Sequence, residues 1–155
     1  MEFRAEWREG AAQGLVQYLS NEMSFLTQNC GEMHCTLVFG DSYLGLDIAD
    51  DGVTACSISG LSPTHLWKRS SVLCPDAREG RLKLAANELV RGCGYTYGDR
   101  WDVFYDAESK AVRIASSPAL ERQSHEPTYI RFLKNAVAAL QGEELTDVFI
   151  ENITL

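Results

Sequence analysis

Two cysteines and a histidine near the end of the first apolar segment are the first candidates for chemistry. Cys30, His34 and Cys35 carry thiol and imidazole groups, which are the ligands of structural zinc sites. Such a site needs a second pair of ligands at matching spacing, and the remaining histidines and cysteines do not supply one. The sequence therefore predicts no metal site here.

Two loops hold residue types that bind phosphate or calcium, but each has the wrong context. The glycines of Gly92–Gly98 follow a predicted helix and lead into a strand, whereas a phosphate loop precedes a helix. Asp47–Gly52 resembles the start of a calcium loop, but Ile58 occupies the position that requires a bidentate glutamate. The motifs of serine hydrolases and zinc proteases are absent. We therefore expect no cofactor and no enzymatic activity, with an enzyme of non-obvious site as the weakest alternative.

The charge balance narrows the class of partner. The chain has 22 acidic and 14 basic residues, for a formal net charge of −8. Nucleic acids and anionic membranes attract clustered Lys and Arg, so neither is an expected partner, whereas a basic protein is. Residues 1–10 contain no apolar run, and the number of cysteines, 5, is odd. These features favour reduced thiols in a cytoplasmic protein.

Apolar spacing predicts three helices in one domain of α+β class over residues 1–155. Residues 10–28 and 78–92 show helical periodicity, and a third helix runs from Pro127 to a cap at Gly142. The third is the most regular, because its apolar residues recur at i, i+3, i+4, i+7, i+8 and i+11: Tyr129, Phe132, Leu133, Ala136, Val137 and Leu140. The terminal segments 1–9 and 143–155 are expected at the periphery.

The strands of this domain are predicted to form an antiparallel sheet. A three-strand meander and a later hairpin are separated by a loop over residues 60–79 with one helical turn at 63–68. The predicted element order is therefore α-β-β-β-α-β-β-α. The predicted strands are 34–39, 43–48 and 53–59 in the meander and 101–105 and 111–115 in the hairpin.

One face of this sheet is expected to pack under the helices and the other to meet solvent. The solvent face should be polar, yet alternation places Val38, Tyr43 and Phe104 on it. Exposed apolar residues that lie together mark protein-binding sites. These three residues are therefore the predicted partner-binding patch.

The element order resembles that of the class I type III secretion chaperones, small acidic bacterial proteins that hold effectors before export. The resemblance is carried by residues 10–141, in the segments Cys35–Asp41, Leu44–Ile48, Ser59–Leu61, Leu84–Val90, Trp101–Asp106, Val112–Ile114, Ser117–Pro118 and Phe132–Leu133. It implies a cytosolic homodimer that binds the N-terminal segment of a secreted effector. It also implies a dimer contact on the middle helix and the strand after it, at Leu82, Ala86, Leu89, Trp101 and Val103.

A second class of binding protein fits the same composition. An immunity protein is a small acidic monomer that inhibits a bacterial toxin by direct binding. Oligomeric state separates the two classes, because the chaperones are homodimers.

Overall fold

The computed structural model describes residues 1–117 and 126–155, and this part of the chain is built from strands. Its elements are 14 strands and one 3₁₀ turn at Thr64–Leu66. The strands are β1 Phe3–Trp7, β2 Leu15–Leu19, β3 Ser24–Gln28, β4 Met33–Phe39, β5 Tyr43–Ala49, β6 Ala55–Leu61, β7 Lys68–Arg69, β8 Arg78–Leu84, β9 Gly94–Tyr97, β10 Trp101–Asp106, β11 Ala111–Ser116, β12 Thr128–Leu133, β13 Ala136–Gln141 and β14 Glu144–Ile150. The predicted α+β class is therefore wrong.

The strands form two sheets that enclose one core. The 8-stranded sheet has the order β1-β8-β12-β13-β14-β11-β10-β7, and the 6-stranded sheet has the order β2-β3-β6-β5-β4-β9. Side chains from both sheets meet in a single buried cluster, which includes Leu82 and Ile114 from the first sheet and Leu37 and Leu46 from the second. Period-2 alternation supplies this inner face, as expected for a β-sandwich.

The segment predicted as the first helix, 10–28, is instead the hairpin of β2 and β3. Each strand alternates: Val16 and Tyr18 point inward from β2, and Phe25 and Thr27 are buried on β3. A turn at 20–23 separates the strands, and Met23 adopts a positive φ of 51° there. Two short alternating runs joined by a turn produce apolar spacings that also fit a helix, which explains the error.

The segment predicted as the third helix contains β12 and β13, which pair antiparallel. Both faces of β13 are buried, because Val137 and Ala139 on its outer face belong to a second apolar cluster with Val72. A strand buried on both faces gives a nearly continuous apolar run, which periodicity does not distinguish from a helix.

The predicted middle helix, 78–92, is also a strand in its first half. β8 alternates buried and accessible residues along Arg78–Leu84, and residues 85–92 contain no further strand or helix.

The predicted meander and hairpin do lie where expected, as β4–β5–β6 and β10–β11. The terminal segments, expected at the periphery, contribute β1 at a sheet edge and β14 between β13 and β11. Within the described residues, no helix has the length and apolarity needed to span a bilayer.

Candidate functional site

An open cleft of 550 Å³ lies at one end of the sandwich, where four chain segments converge. We call it the acidic cleft. Its walls come from the residues before β1, the β9–β10 turn, the first residue of β10, the last residue of β11 and the β13–β14 turn. The lining side chains that matter for recognition are Glu2, Tyr97, Asp99, Trp101, Ser116, Glu143 and Glu144.

Four carboxylates line the acidic cleft, and no Lys, Arg or His side chain is among its described lining residues. Glu2 and Glu143 approach closely because the Phe3 backbone N–H donates to the Glu143 carbonyl oxygen at 2.8 Å, which ties the β13–β14 turn to β1. A hydrogen bond with Glu2 and the repulsion of its charge raise the pKa of Glu143. Like charges in one site disfavour ionisation unless a cation lies between them.

The aromatic wall of the cleft is fixed by hydrogen bonds and ring packing. Trp101 Nε1 donates to the Tyr97 carbonyl oxygen at 2.9 Å, and the Leu145 backbone N–H donates to Tyr97 Oη at 3.0 Å. The ring centroids of Tyr97 and Trp101 lie 6.0 Å apart, and Trp101 also packs on Phe39 at 4.6 Å. Burial raises the pKa of Tyr97 to about 12, so its hydroxyl stays protonated at neutral pH.

The turn that joins β9 to β10 sets the position of the indole. Gly98 has a positive φ of 69°, and a Cβ added to it would lie 2.8 Å from Trp101 Nε1. A larger residue would therefore displace the indole or strain the backbone.

Ser116 lies at the base of the cleft, opposite Trp101 in the β10–β11 register. The residue is 6% exposed, and its Oγ is buried without a hydrogen-bond partner among the described residues. Buried polar groups are almost always paired in folded proteins, which makes this hydroxyl an exception.

The combination of these groups suits an organic cation. Carboxylates form charge-assisted hydrogen bonds with guanidinium and ammonium groups, and the faces of Trp and Tyr attract the same cations.

The buried carboxylate of Asp47 is hydrogen-bonded within the fold. Asp47 is 2% exposed, and its carboxylate accepts hydrogen bonds from the hydroxyls of Thr36 at 2.6 Å, Ser57 at 2.8 Å and Ser59 at 2.6 Å. These contacts join β4, β5 and β6 and leave no open coordination position. Within residues 1–117 and 126–155, no group of three His, Cys, Asp or Glu side chains is placed to hold a metal ion.

The predicted partner-binding residues divide between two surfaces. Tyr43, 78% exposed, and Val38, half-buried, lie on the outer face of the 6-stranded sheet. Phe104 lies on the 8-stranded sheet, where it packs against the second apolar cluster under the Lys68 ammonium group. The structure therefore brings two of the three together.

The predicted dimer residues do not form one exposed surface. Leu82 is 0% exposed, Leu89 is buried with it in the shared core, and only Ala86 is exposed. Trp101 and Val103 are half-buried against the same core. The helical stripe on which this prediction depended does not exist, and Trp101 alone of the set lines the acidic cleft.

The carboxylates of the cleft were missed because they are distant in sequence. Glu2, Asp99 and Glu143 lie in the two terminal segments and a glycine-containing turn. The run of acids after Gly142 without a base was a visible signal, but only the pairing of β14 with β11 and β13 brings that run beside Trp101. Comparison of the chain with protein-family models and with curated protein sequences gives no match.

Proposed function

We propose that this protein is a non-catalytic binding domain whose acidic cleft receives a Lys or Arg side chain presented by a basic protein partner. The observation that carries the proposal is a cleft lined by four carboxylates and two aromatic rings, with no Lys, Arg or His among its described lining residues. A cation with several N–H donors can form hydrogen bonds with the carboxylates of Glu2, Asp99 and Glu143.

The charge of the whole molecule supports a basic partner. A net charge of −8 attracts cationic surfaces from a distance and raises the rate of encounter. Trp and Tyr are enriched among the residues that contribute most to protein–protein binding, particularly where neighbouring groups exclude water. Trp101 and Tyr97 both line the cleft, and hydrogen bonds anchor their rings.

Of the two binding classes that fit the composition, the toxin inhibitor is the better supported. The element order on which the chaperone resemblance depended is absent, because the described chain has strands in all three helical segments. Inhibition of a toxin by direct binding requires only a surface complementary in charge and shape to the toxin's basic residues. The acidic cleft offers such a surface on a domain expected to act in the cytoplasm.

The test uses cationic peptides as probes. An acetylated Gly-Arg repeat peptide is titrated into the protein by calorimetry, with a Gly-Glu repeat peptide as the probe of opposite charge. The double variant Asp99→Asn/Glu143→Gln is expected to bind the Gly-Arg peptide about tenfold more weakly or worse, because each charge-assisted hydrogen bond contributes about 1.5–3 kcal/mol.

The matched control is Glu22→Gln/Asp41→Asn, which removes two exposed carboxylates outside the cleft. Its net charge equals that of the cleft variant, so it measures the effect of charge alone. Equal losses in the two variants would show that the cleft is not the binding site. Binding of the Gly-Glu peptide as tightly as the Gly-Arg peptide would contradict recognition of a cation.

A further inference from the structure

A second and larger cavity lies at the opposite end of β10, and three basic residues line it. This cavity, which we call the cationic groove, has a volume of 910 Å³. Its floor is formed by Trp67 and Tyr105, and its rim carries His65, Lys68, Arg69 and Lys110. Basic residues account for only 14 of 155 positions, and three Lys and Arg side chains lie around this one groove beside two acidic residues, Asp106 and Glu108.

Two of these basic side chains are available to a ligand. The side chains of Arg69 and Lys110 have no hydrogen bond or ion pair with any described residue. Lys68 is already engaged, because its ammonium group lies 3.3 Å from Asp102 Oδ1 and 5.8 Å from the centre of the Phe104 ring. The groove therefore offers one guanidinium and one ammonium group to a ligand.

Backbone hydrogen bonds fix the chain at both residues. Arg69 pairs in parallel with Tyr105 at the edge of the 8-stranded sheet, and the Ser70 N–H donates to the Tyr105 carbonyl oxygen at 3.2 Å. Lys110 closes the β10–β11 turn with a positive φ of 56°, and its carbonyl oxygen accepts the Ile153 N–H at 2.9 Å. A fixed backbone reduces the entropy lost when the side chains bind a ligand.

The acidic residues of the groove do not neutralise these cations directly. The Asp106 carboxylate accepts hydrogen bonds from the Glu108 backbone N–H in its own turn, at 3.0 Å, and from the Val72 backbone N–H of the neighbouring segment, at 3.0 Å. These hydrogen bonds lower the pKa of Asp106. The second acid, Glu108, is exposed on the turn.

The remaining lining is that of a small-molecule site. Ser70, Ser71, Thr64 and Thr154 add hydroxyl groups to the rim. Tyr105 Oη donates to the Ile153 carbonyl oxygen at 3.3 Å, and Trp67 Nε1 donates to Ser62 Oγ at 2.9 Å, so the aromatic floor is rigid. The volume lies within the range of about 300–1,000 Å³ that is usual for ligand sites.

We propose that the cationic groove binds a small molecule with two or more oxyanion groups, phosphate or carboxylate, held by Arg69 and Lys110. Arg presents a planar fork that matches the oxygens of either group, and Lys adds a point charge. Hydroxyl groups and the aromatic floor then contact the rest of the ligand. The proposal is independent of the acidic cleft, which takes a group of opposite charge at the other end of the strand.

The experiment measures the melting temperature and, by calorimetry, the affinity for two probes, inorganic pyrophosphate and citrate. A ligand that binds the folded state raises the melting temperature by mass action, so at least one probe is expected to do so. Pyrophosphate alone would assign the site to phosphates and citrate alone to carboxylates. The variant Arg69→Gln/Lys110→Gln is expected to weaken binding about tenfold or more.

The control variant, Arg8→Gln/Lys134→Gln, removes the same charge from exposed residues outside the groove and should bind the probes as the unmodified protein does. Absence of any effect of both probes on melting temperature and calorimetry would overturn the proposal. Equal weakening in the two double variants would also overturn it, because binding would then depend on net charge and not on the groove.

Discussion

At the scale of individual residues, the buried side-chain amide of Asn135 joins the two sheets. Asn135 lies in the turn between β12 and β13, yet it bonds to β2 of the other sheet: its Oδ1 accepts the Val16 N–H at 2.8 Å, and its Nδ2 donates to the Val16 carbonyl oxygen at 2.9 Å. The same Nδ2 donates to the Glu151 carbonyl oxygen at 2.9 Å. This side chain therefore satisfies backbone groups that no neighbouring strand reaches.

Substitution of this amide should be costly. Asn135→Ala leaves the Val16 N–H and carbonyl groups without partners, and each buried unsatisfied group costs about 1–3 kcal/mol. The free energy of unfolding, measured with urea, is expected to fall by at least that amount. The neighbouring exposed substitution Lys134→Ala is the control, and an equal loss in both variants would contradict the assigned role of the amide.

The pKa of Glu143 predicts how the acidic cleft responds to pH. Its pKa is raised, so the folded state holds this proton at pH values where the unfolded state has released it. Stability should therefore fall as pH rises from the unfolded pKa, near ~4.3, through the folded pKa. Over the same range the affinity for a Gly-Arg peptide should rise, because the ionisation of Glu143 adds a negative charge to the cleft.

Glu143→Gln separates this effect from general titration of the surface. The variant is expected to lose less stability than the unmodified protein between ~pH 4 and ~pH 7, and to show a shallower rise in peptide affinity. Thermal melting and calorimetry at a series of pH values measure both quantities. Identical pH profiles for the variant and the unmodified protein would show that Glu143 does not control the cleft.

At the scale of elements, the sequence identified strands that are bounded by clear turns and failed where the apolar spacing also fits a helix. β4 and β5 are followed by tight turns, so their positions could be read from apolar runs bounded by Gly40 and Gly52. β13 could not, because Val137 and Ala139 on its outer face are covered by a distant segment that includes Val72. The acidic cleft could not be predicted from the sequence either, since its lining residues come together only through the pairing of β14.

β14 is the element on which the larger sheet depends. It lies between β13 and β11, with Val148 opposite both Ala138 and Ile114. A chain that ends after Gly142 lacks this strand and exposes two unpaired strand edges and the apolar core, so it is expected to be unfolded. A chain that ends after Ile153 retains β14 and should stay folded. Circular dichroism and urea denaturation distinguish these outcomes, and a folded short chain would contradict the sheet order.

At the scale of the whole molecule, the two cavities lie at the two ends of β10. Trp101 and Asp106 are the first and last residues of this strand, so a rise of about 3.3 Å per residue places them roughly 17 Å apart. The acidic cleft and the cationic groove are thus separated by more than the Debye length of about 8 Å at physiological ionic strength. Each cavity is therefore expected to bind its ligand without strong influence from the other.

The predicted homodimer stays a prediction, and light scattering would compare the measured mass with the 17.2 kDa of one chain.

The charge of −8 predicts that capture of a cationic partner depends on salt. Between about 10 mM and about 1 M ionic strength the Debye length falls from roughly 30 Å to roughly 3 Å, which removes long-range attraction. Stopped-flow fluorescence should therefore show the association rate of the Gly-Arg peptide falling across this range. The variants Asp99→Asn/Glu143→Gln and Glu22→Gln/Asp41→Asn carry the same net charge, so long-range attraction should fall equally in both. Only the cleft variant should also dissociate faster, because it alone lacks carboxylates that contact the bound cation. An association rate that does not change with salt would contradict electrostatic capture.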